Sequence, residues 1–180
     1  EGNEILIKHD ALMDGYYKDN DETSKTIIDG WLYTGDEGKI DDKGFLYITG
    51  RVKDIFKTSK GKYVAPSPIE MKLSVNKNLE QVCVVGDSIP QPIALIVLSE
   101  QGKAQLKENL INSLRTTLDI VNSKIQQHES LNKIIVLDEV WTVENKLLTP
   151  TMKIKRNIIE NKFKEFYQEW YDKEESIIFN

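Results

Sequence analysis

The chain has 180 residues, a formal net charge of −5, and 29% charged against 39% hydrophobic residues, the balance of a globular protein with room for one ordinary domain, or a small one plus part of another. The acidic total argues against general nucleic-acid binding, and no apolar run approaches the roughly 20 residues of a membrane span. A single cysteine, Cys83, excludes an internal disulfide and favours a reducing, cytoplasmic setting.

The chain opens on Glu1-Gly2-Asn3 rather than Met, with no signal-peptide pattern, and so reads as a cut inside a longer protein. Glu4 to Lys8 (EILIK) predicts a strand, followed by a polar connection, HDALMDGYYKDNDETSK. Residues 37–41 and 45–49 predict two strands joined by the turn sequence DDKG, and residues 55–58 a further short strand before SKGK, a glycine-containing turn. Pro66 and Pro68 open a helix that places Ile69 and Leu73 on one face. Residues 79–85 and 92–98 are rich in Val and Ile and predict strands. Leu110, Leu114, Leu118, Val121 and Ile125 form the stripe of an amphipathic helix. Residues 133–137 predict another strand, and Ile159, Phe163, Phe166 and Trp170 the stripe of a last helix.

From about residue 54 onward this order gives an α+β domain, a small sheet covered by helices. Residues 1–50, mostly strand and loop with no predicted helix, can hardly bury a core alone and read as the tail of a preceding domain. Cys83, inside VCVVG, reads as a core residue, since no neighbouring His suggests a base. His9 and His128 fit no metal or triad pattern.

Charge is unevenly placed. Residues 51–62 (RVKDIFKTSKGK) carry a local +4 and residues 153–156 (KIKR) +3, leaving −12 on the other 164 residues. Two basic clusters in an acidic chain suit small anions, phosphates above all, although solvated lysines on a loop and a helix face would look the same. SKGK is no phosphate-binding P-loop, because no glycine stands five residues before Gly61.

The stretches GWLYTGDEGKIDDKGFLYITGRVKDIFKTSKGKYVAPSPIE and LLTPTMKIKR closely resemble the C-terminal portion of the adenylate-forming (AMP-binding) acyl-CoA synthetases. The resemblance runs almost end to end, and the LTPTMKIKR form is most similar to the long-chain fatty acid branch. It implies a short antiparallel sheet packed by helices in a small mobile C-terminal domain over residues 55–180, a hinge at 51–54, and the end of the large AMP-binding domain over 1–50. It also implies activation of a carboxylate with ATP, release of pyrophosphate, and transfer of the acyl-adenylate to the thiol of coenzyme A.

Matched motif to motif, the resemblance implies that Asp36 accepts hydrogen bonds from both ribose hydroxyls of the nucleotide, a pairing that suits a two-oxygen carboxylate. Thr34 would lie near the α-phosphate, and Arg51 would hold ribose and phosphate as a fixed charged fork. Taken alone, Asp36 would read as a turn cap and Arg51 as a surface ion pair. Lys53 falls at the hinge position. Lys153 matches the adenylation lysine, placed to stabilise charge growing on the phosphoryl oxygens and on pyrophosphate. Its near neighbour Lys155 is easily confused with it. Gly61 corresponds to the glycine that lets the pantetheine arm of coenzyme A pass close to backbone, and equally suits a hairpin turn of positive φ.

The Ser/Thr/Gly-rich segment that wraps ATP phosphates, the adenine-binding residues and the acyl pocket are absent from this sequence. They are expected in a domain preceding Glu1, together with the residues that hold the Mg2+ accompanying ATP, so the chain by itself is expected to be inactive. Its partners would be fatty acid, ATP, coenzyme A and its own N-terminal domain. No nucleic acid and no integral membrane segment are expected, although fatty acid ligases often work at a membrane surface. Two alternatives stay open: another adenylating ligase acting on aryl, short-chain or amino acids, and a non-catalytic module that binds a phosphate-rich ligand.

Overall fold

The structure is a computed structural model that describes residues 3–180, so the reading of Glu1 and Gly2 lies outside the described residues. The chain divides into two compact units, one ending at Asp54 and the other spanning Ile55–Asn180.

The first unit is built on β3 (Trp31–Ile40), a long strand that pairs antiparallel with β1 (Glu4–Ile7), β2 (Ile27–Ile28) and β4 (Leu46–Arg51). Two turns set its registers. Asp29 and Gly30 both have positive φ, +52° and +77°, the conformation of a two-residue hairpin turn between β2 and β3. Between β3 and β4 the Asp41 carboxylate accepts the amides of Lys43 and Phe45, both at 2.9 Å.

One helix departs from expectation: α1 (Asn20–Thr26) lies inside the stretch predicted to be a polar connection. It has no buried residue and hence no stripe to betray it. Local chemistry makes it, with Asp19 capping the Glu22 amide, Asp21 and Glu22 in the first turn and Lys25 in the last. Among the described residues up to Asp54 only Gly50 is buried.

The second unit starts with a hairpin, β5 (Phe56–Lys57) and β6 (Tyr63–Val64), then α2 (Pro66–Leu73). Its sheet has the order β10 (Ile177–Phe179), β9 (Lys133–Leu137), β8 (Ile93–Leu98), β7 (Leu79–Val85). The expected antiparallel sheet is mixed: β7 and β8 are antiparallel, but β8 with β9 and β9 with β10 are parallel. The reason is the crossover. The short α3 (Glu100–Lys103) and the long α4 (Lys107–Asn122) return the chain to the starting end of β8 before β9 begins.

Helices cover both faces, which is why β8 and β9 are continuous apolar runs rather than alternating ones. On one face Val84, Ala94, Ile96, Ile134 and Val136 pack with Ile69 and Leu73 of α2 and with Leu110, Leu114, Leu118 and Val121 of α4. On the other, Cys83, Leu95, Val97 and Ile135 pack with Trp141, Leu147 and Leu148, with Ile159 and Phe163 of α5 (Arg156–Phe163), and with Tyr167 and Trp170 of α6 (Tyr167–Asp172). The single last helix predicted from the sequence is two helices joined by a 3-10 turn, Lys164–Phe166. Tyr167 rather than Phe166 completes its buried stripe, while Phe166 stacks its ring on Trp170. No helix among the described residues is long and apolar enough to cross a membrane.

Candidate functional site

In the first unit, β3 and β4 place Asp36 directly opposite Arg51. The Arg51 Nε donates to Asp36 Oδ1 at 2.9 Å. This contact uses one nitrogen and one oxygen, so Asp36 Oδ2 and the terminal nitrogens of Arg51 keep their hydrogen-bonding capacity among the described residues. The pairing of β3 is irregular on both edges, between Glu37 and Gly38 against β4 and between Glu4 and Leu6 of β1 on the other side, irregularities of the kind that re-aim side chains beside functional sites.

Thr34 is fixed by its own hydroxyl, which donates to the Ile5 carbonyl at 2.7 Å and accepts the Asp36 amide at 3.1 Å. Gly35 between them has φ +72° and donates its amide to Glu4 Oε1 at 2.8 Å. A cavity of about 570 Å³ is lined by Thr34, Gly35, Arg51 and Lys53, with Tyr33 and Lys25 beside them. Asp36 borders Arg51 outside that lining. Lys53 is exposed in the 3-10 turn Val52–Asp54 that ends the unit. Thr34, Asp36, Arg51 and Lys53 are therefore neighbours.

Gly61 and Lys153 belong to the second unit and occupy separate loops. Gly61 turns the β5–β6 hairpin at φ +76°, donating its amide to the Thr58 carbonyl at 2.8 Å. A side chain there would meet only Lys57 Cε, at 3.9 Å, so the space beside the glycine is open. Next to it, Thr58, Lys60, Lys62, Gln127 and His128 border a cavity of about 300 Å³. His128, which fits no metal or triad pattern, thus faces the same hollow as two lysines.

Lys153 sits on a tight loop, not at the start of a helix. The Thr149 amide donates to the Lys153 carbonyl at 2.7 Å, the Lys153 amide to Thr149 Oγ1 at 3.1 Å, and Met152 turns at φ +63°. Leu147 and Leu148 anchor the loop on its entering side, both buried. The exposed Lys153 ammonium makes no hydrogen bond or ion pair among the described residues. Lys155 is half-buried, and its backbone N–H donates to the Leu147 carbonyl at 2.8 Å.

Arg156 fits neither of the two readings of KIKR, a cluster for small anions or a set of solvated cations. It is buried and donates to both oxygens of Glu70, at 2.7 and 2.9 Å, to the Val84 carbonyl at 2.8 Å and to Cys83 Sγ at 3.3 Å. Cys83 is fully buried in the core. The described residues include no group of three or more His, Cys, Asp or Glu side chains that could hold a metal ion. They do not fit a Mg2+ site.

Comparisons with known proteins follow the same lines. Residues 53–175 match the family described as AMP-binding enzyme C-terminal domain. A long-chain-fatty-acid–CoA ligase of Mycobacterium tuberculosis is 33% identical over 188 residues, covering 95% of this chain and 31% of the relative. Fatty acyl-CoA synthetase B of Dictyostelium discoideum is 31% identical, covering 94% of this chain and 28% of its own. The chain thus spans about a third of the length of these relatives. Among solved structures, the adenylation domain of a carboxylate reductase from Mycobacterium chelonae superposes with a TM-score of 0.77 at 25% identity, over 94% of this chain and 28% of that one. The A domain of carboxylic acid reductase from Segniliparus rugosus, in complex with AMP and a co-purified carboxylic acid, gives 0.76 at 24%, over 93% and 28%. With most of its length matched by that family's pattern, the chain belongs to the AMP-binding enzyme C-terminal domain family.

Proposed function

We propose that the chain is the C-terminal part of an AMP-forming long-chain fatty acid–CoA ligase, supplying one side of the nucleotide site and the adenylation lysine. In the first half-reaction a fatty acid carboxylate oxygen attacks the α-phosphorus of ATP, and the bond to pyrophosphate breaks. In the second, the coenzyme A thiol attacks the acyl carbonyl and AMP leaves. The observation that carries this reading is Lys153: a cation without a partner among the described residues, presented on a loop anchored in the core.

In this scheme Asp36 and Arg51 hold the ribose through the valences their own contact leaves open, and Thr34 lies by the α-phosphate. Lys153 neutralises charge as it grows on the phosphoryl oxygens. Lys53 is the pivot about which residues 55–180 turn between half-reactions, and Gly61 gives the pantetheine arm its passage. The long-chain substrate is supported by relatives named as long-chain-fatty-acid–CoA ligases that match 93–95% of the chain.

The test is Lys153→Ala in the full-length protein bearing this chain. Acyl-adenylate formation is expected to fall about 100-fold or more, with thioester formation from supplied acyl-adenylate largely intact. Equal loss in both half-reactions would overturn the assignment. A second reading, an adenylating enzyme for another carboxylic acid, is favoured by the reductase domains among the structural neighbours. Competition among fatty, aryl and amino acids in pyrophosphate exchange separates the two.

A further inference from the structure

We propose that the buried Glu70–Arg156 pair is a positioning device that fixes where the Lys153 amine stands; this rests on the role given to Lys153 above. Arg156 leads α5 three residues after Lys153, and Glu70 stands in α2. The exposed fractions of the two side chains are only 9% and 14%. Arg156 Nη2 donates to both Glu70 oxygens while its Nη1 donates to the Val84 carbonyl, and Glu70 Oε1 accepts the Val84 amide at 2.7 Å. Both polar groups of one residue on the edge strand β7 are thus held by the pair.

One contact therefore ties the exit of the Lys153 loop to β7 and to α2. Through α2, which follows β6 directly, the tie reaches the hairpin that carries Gly61. Lys153 and Gly61, assigned to different half-reactions, are fixed to the same frame.

An apolar pair of like volume would fill this space and is often at least as stable as a buried ion pair. It would not fix distance and angle together, as a planar guanidinium does when one of its nitrogens bonds a carboxylate and another a backbone carbonyl. The lysine stem itself is unrestrained, so the accuracy of its amine depends on the backbone of residues 149–155. Arg156 acts through that backbone and is a positioning residue, not a catalytic one.

The informative variant is Arg156→Met combined with Glu70→Leu, which leaves no lone buried charge. Amide hydrogen exchange on the chain is the first measurement. The Lys153 and Lys155 amides, bonded to Thr149 Oγ1 and to the Leu147 carbonyl, are expected to exchange faster while β8 and β9 keep their protection. The second measurement is kinetic. In the full-length protein, kcat for acyl-adenylate formation is expected to fall on the order of 10- to 100-fold, with KM for ATP near its original value and thioester formation affected less. Arg156→Lys, which keeps the charge and loses the fork, is expected to fall between, and it carries the same comparison should the double variant lose core protection. Unchanged exchange at Lys153 and Lys155 overturns the proposal. So does undiminished adenylation by the folded double variant when Lys153→Ala is crippled. If Lys153→Ala itself adenylates normally, the function proposed above fails, and the exchange result still decides the tie.

Discussion

Asp36 and Arg51 touch through one hydrogen bond, with the arginine 64% and the aspartate 31% exposed. Exposed pairs of this kind contribute about 0–1 kcal/mol to stability, so the fold gains little from the contact. The nucleotide would gain much more, because a hydrogen bond to a charged group is worth about 1.5–3 kcal/mol when the partner is otherwise left unpaired. Asp36→Asn keeps the shape and removes the charge. It is expected to leave the thermal unfolding midpoint nearly unchanged while ATP binding weakens about 10-fold or more, read by titration of the full-length protein; a large fall in stability with unchanged binding would make the pair structural. Gly61 is the opposite case. Its φ of +76° is costly for any residue with a Cβ, about 1–2 kcal/mol, while the space around it is open. Gly61→Ala should therefore lower stability by about that amount, and slow thioester formation well beyond what the lost stability explains.

Elements whose sequence carries a burial pattern were legible, and elements made by local polar chemistry were not. β7 and β9 stand where their Val- and Ile-rich runs put them, and the α4 stripe holds through Val121, with Ile125 packing just beyond the helix end. α1 went unseen because it buries nothing, and β10 because three residues between polar stretches carry no period. In the site, the YTGD and GR motifs led to Asp36 and Arg51, whose pairing needs the one-residue shift between Glu37 and Gly38 as well as the register set at the Asp41 turn. Neither reading of KIKR, an anion-binding cluster or solvated cations, allows for a buried Arg156, because a count of charge carries no periodicity. Extending the α5 stripe back from Phe163 and Ile159 by three residues lands on it, so the signal was there. The Asp41 turn makes a pH prediction of its own. The Phe45 amide above all, with Lys43, Gly44 and the Tyr47 hydroxyl, holds the Asp41 carboxyl below its ordinary value. Because the folded value is depressed, its support for the hairpin is complete above the ordinary aspartate range near pH 4 and is lost as pH falls through the lowered value. The Phe45 amide NMR signal should titrate with a midpoint below that of an ordinary aspartate, and Asp41→Asn should abolish that titration.

At the scale of the molecule the two units differ in kind. The second carries two apolar layers on its sheet, whereas the first exposes Ile40, Phe45 and Ile48 by 71%, 63% and 68% and lacks a layer to cover them. So little buried surface is what the proposed reading of residues 1–50 as the end of a larger domain would lead to. The proposed swivel then has to act in the few residues between them, and Lys53, exposed in the 3-10 turn at the boundary, is the residue on which to test it. Proline fixes φ near −65°, within the range a 3-10 turn already uses, and it also restricts the residue before it. Lys53→Pro therefore removes backbone freedom from Val52 and residue 53 without removing any group assigned to the chemistry. If the small unit must turn between half-reactions, acyl-adenylate formation should persist while thioester formation becomes rate-limiting, and Lys53→Ala, which keeps the rotation, should support both. Single-turnover assays of each half-reaction distinguish the outcomes: a proline variant with full activity in both excludes Lys53 as the pivot, and a variant lacking both points instead to disruption of the neighbouring Arg51 strand.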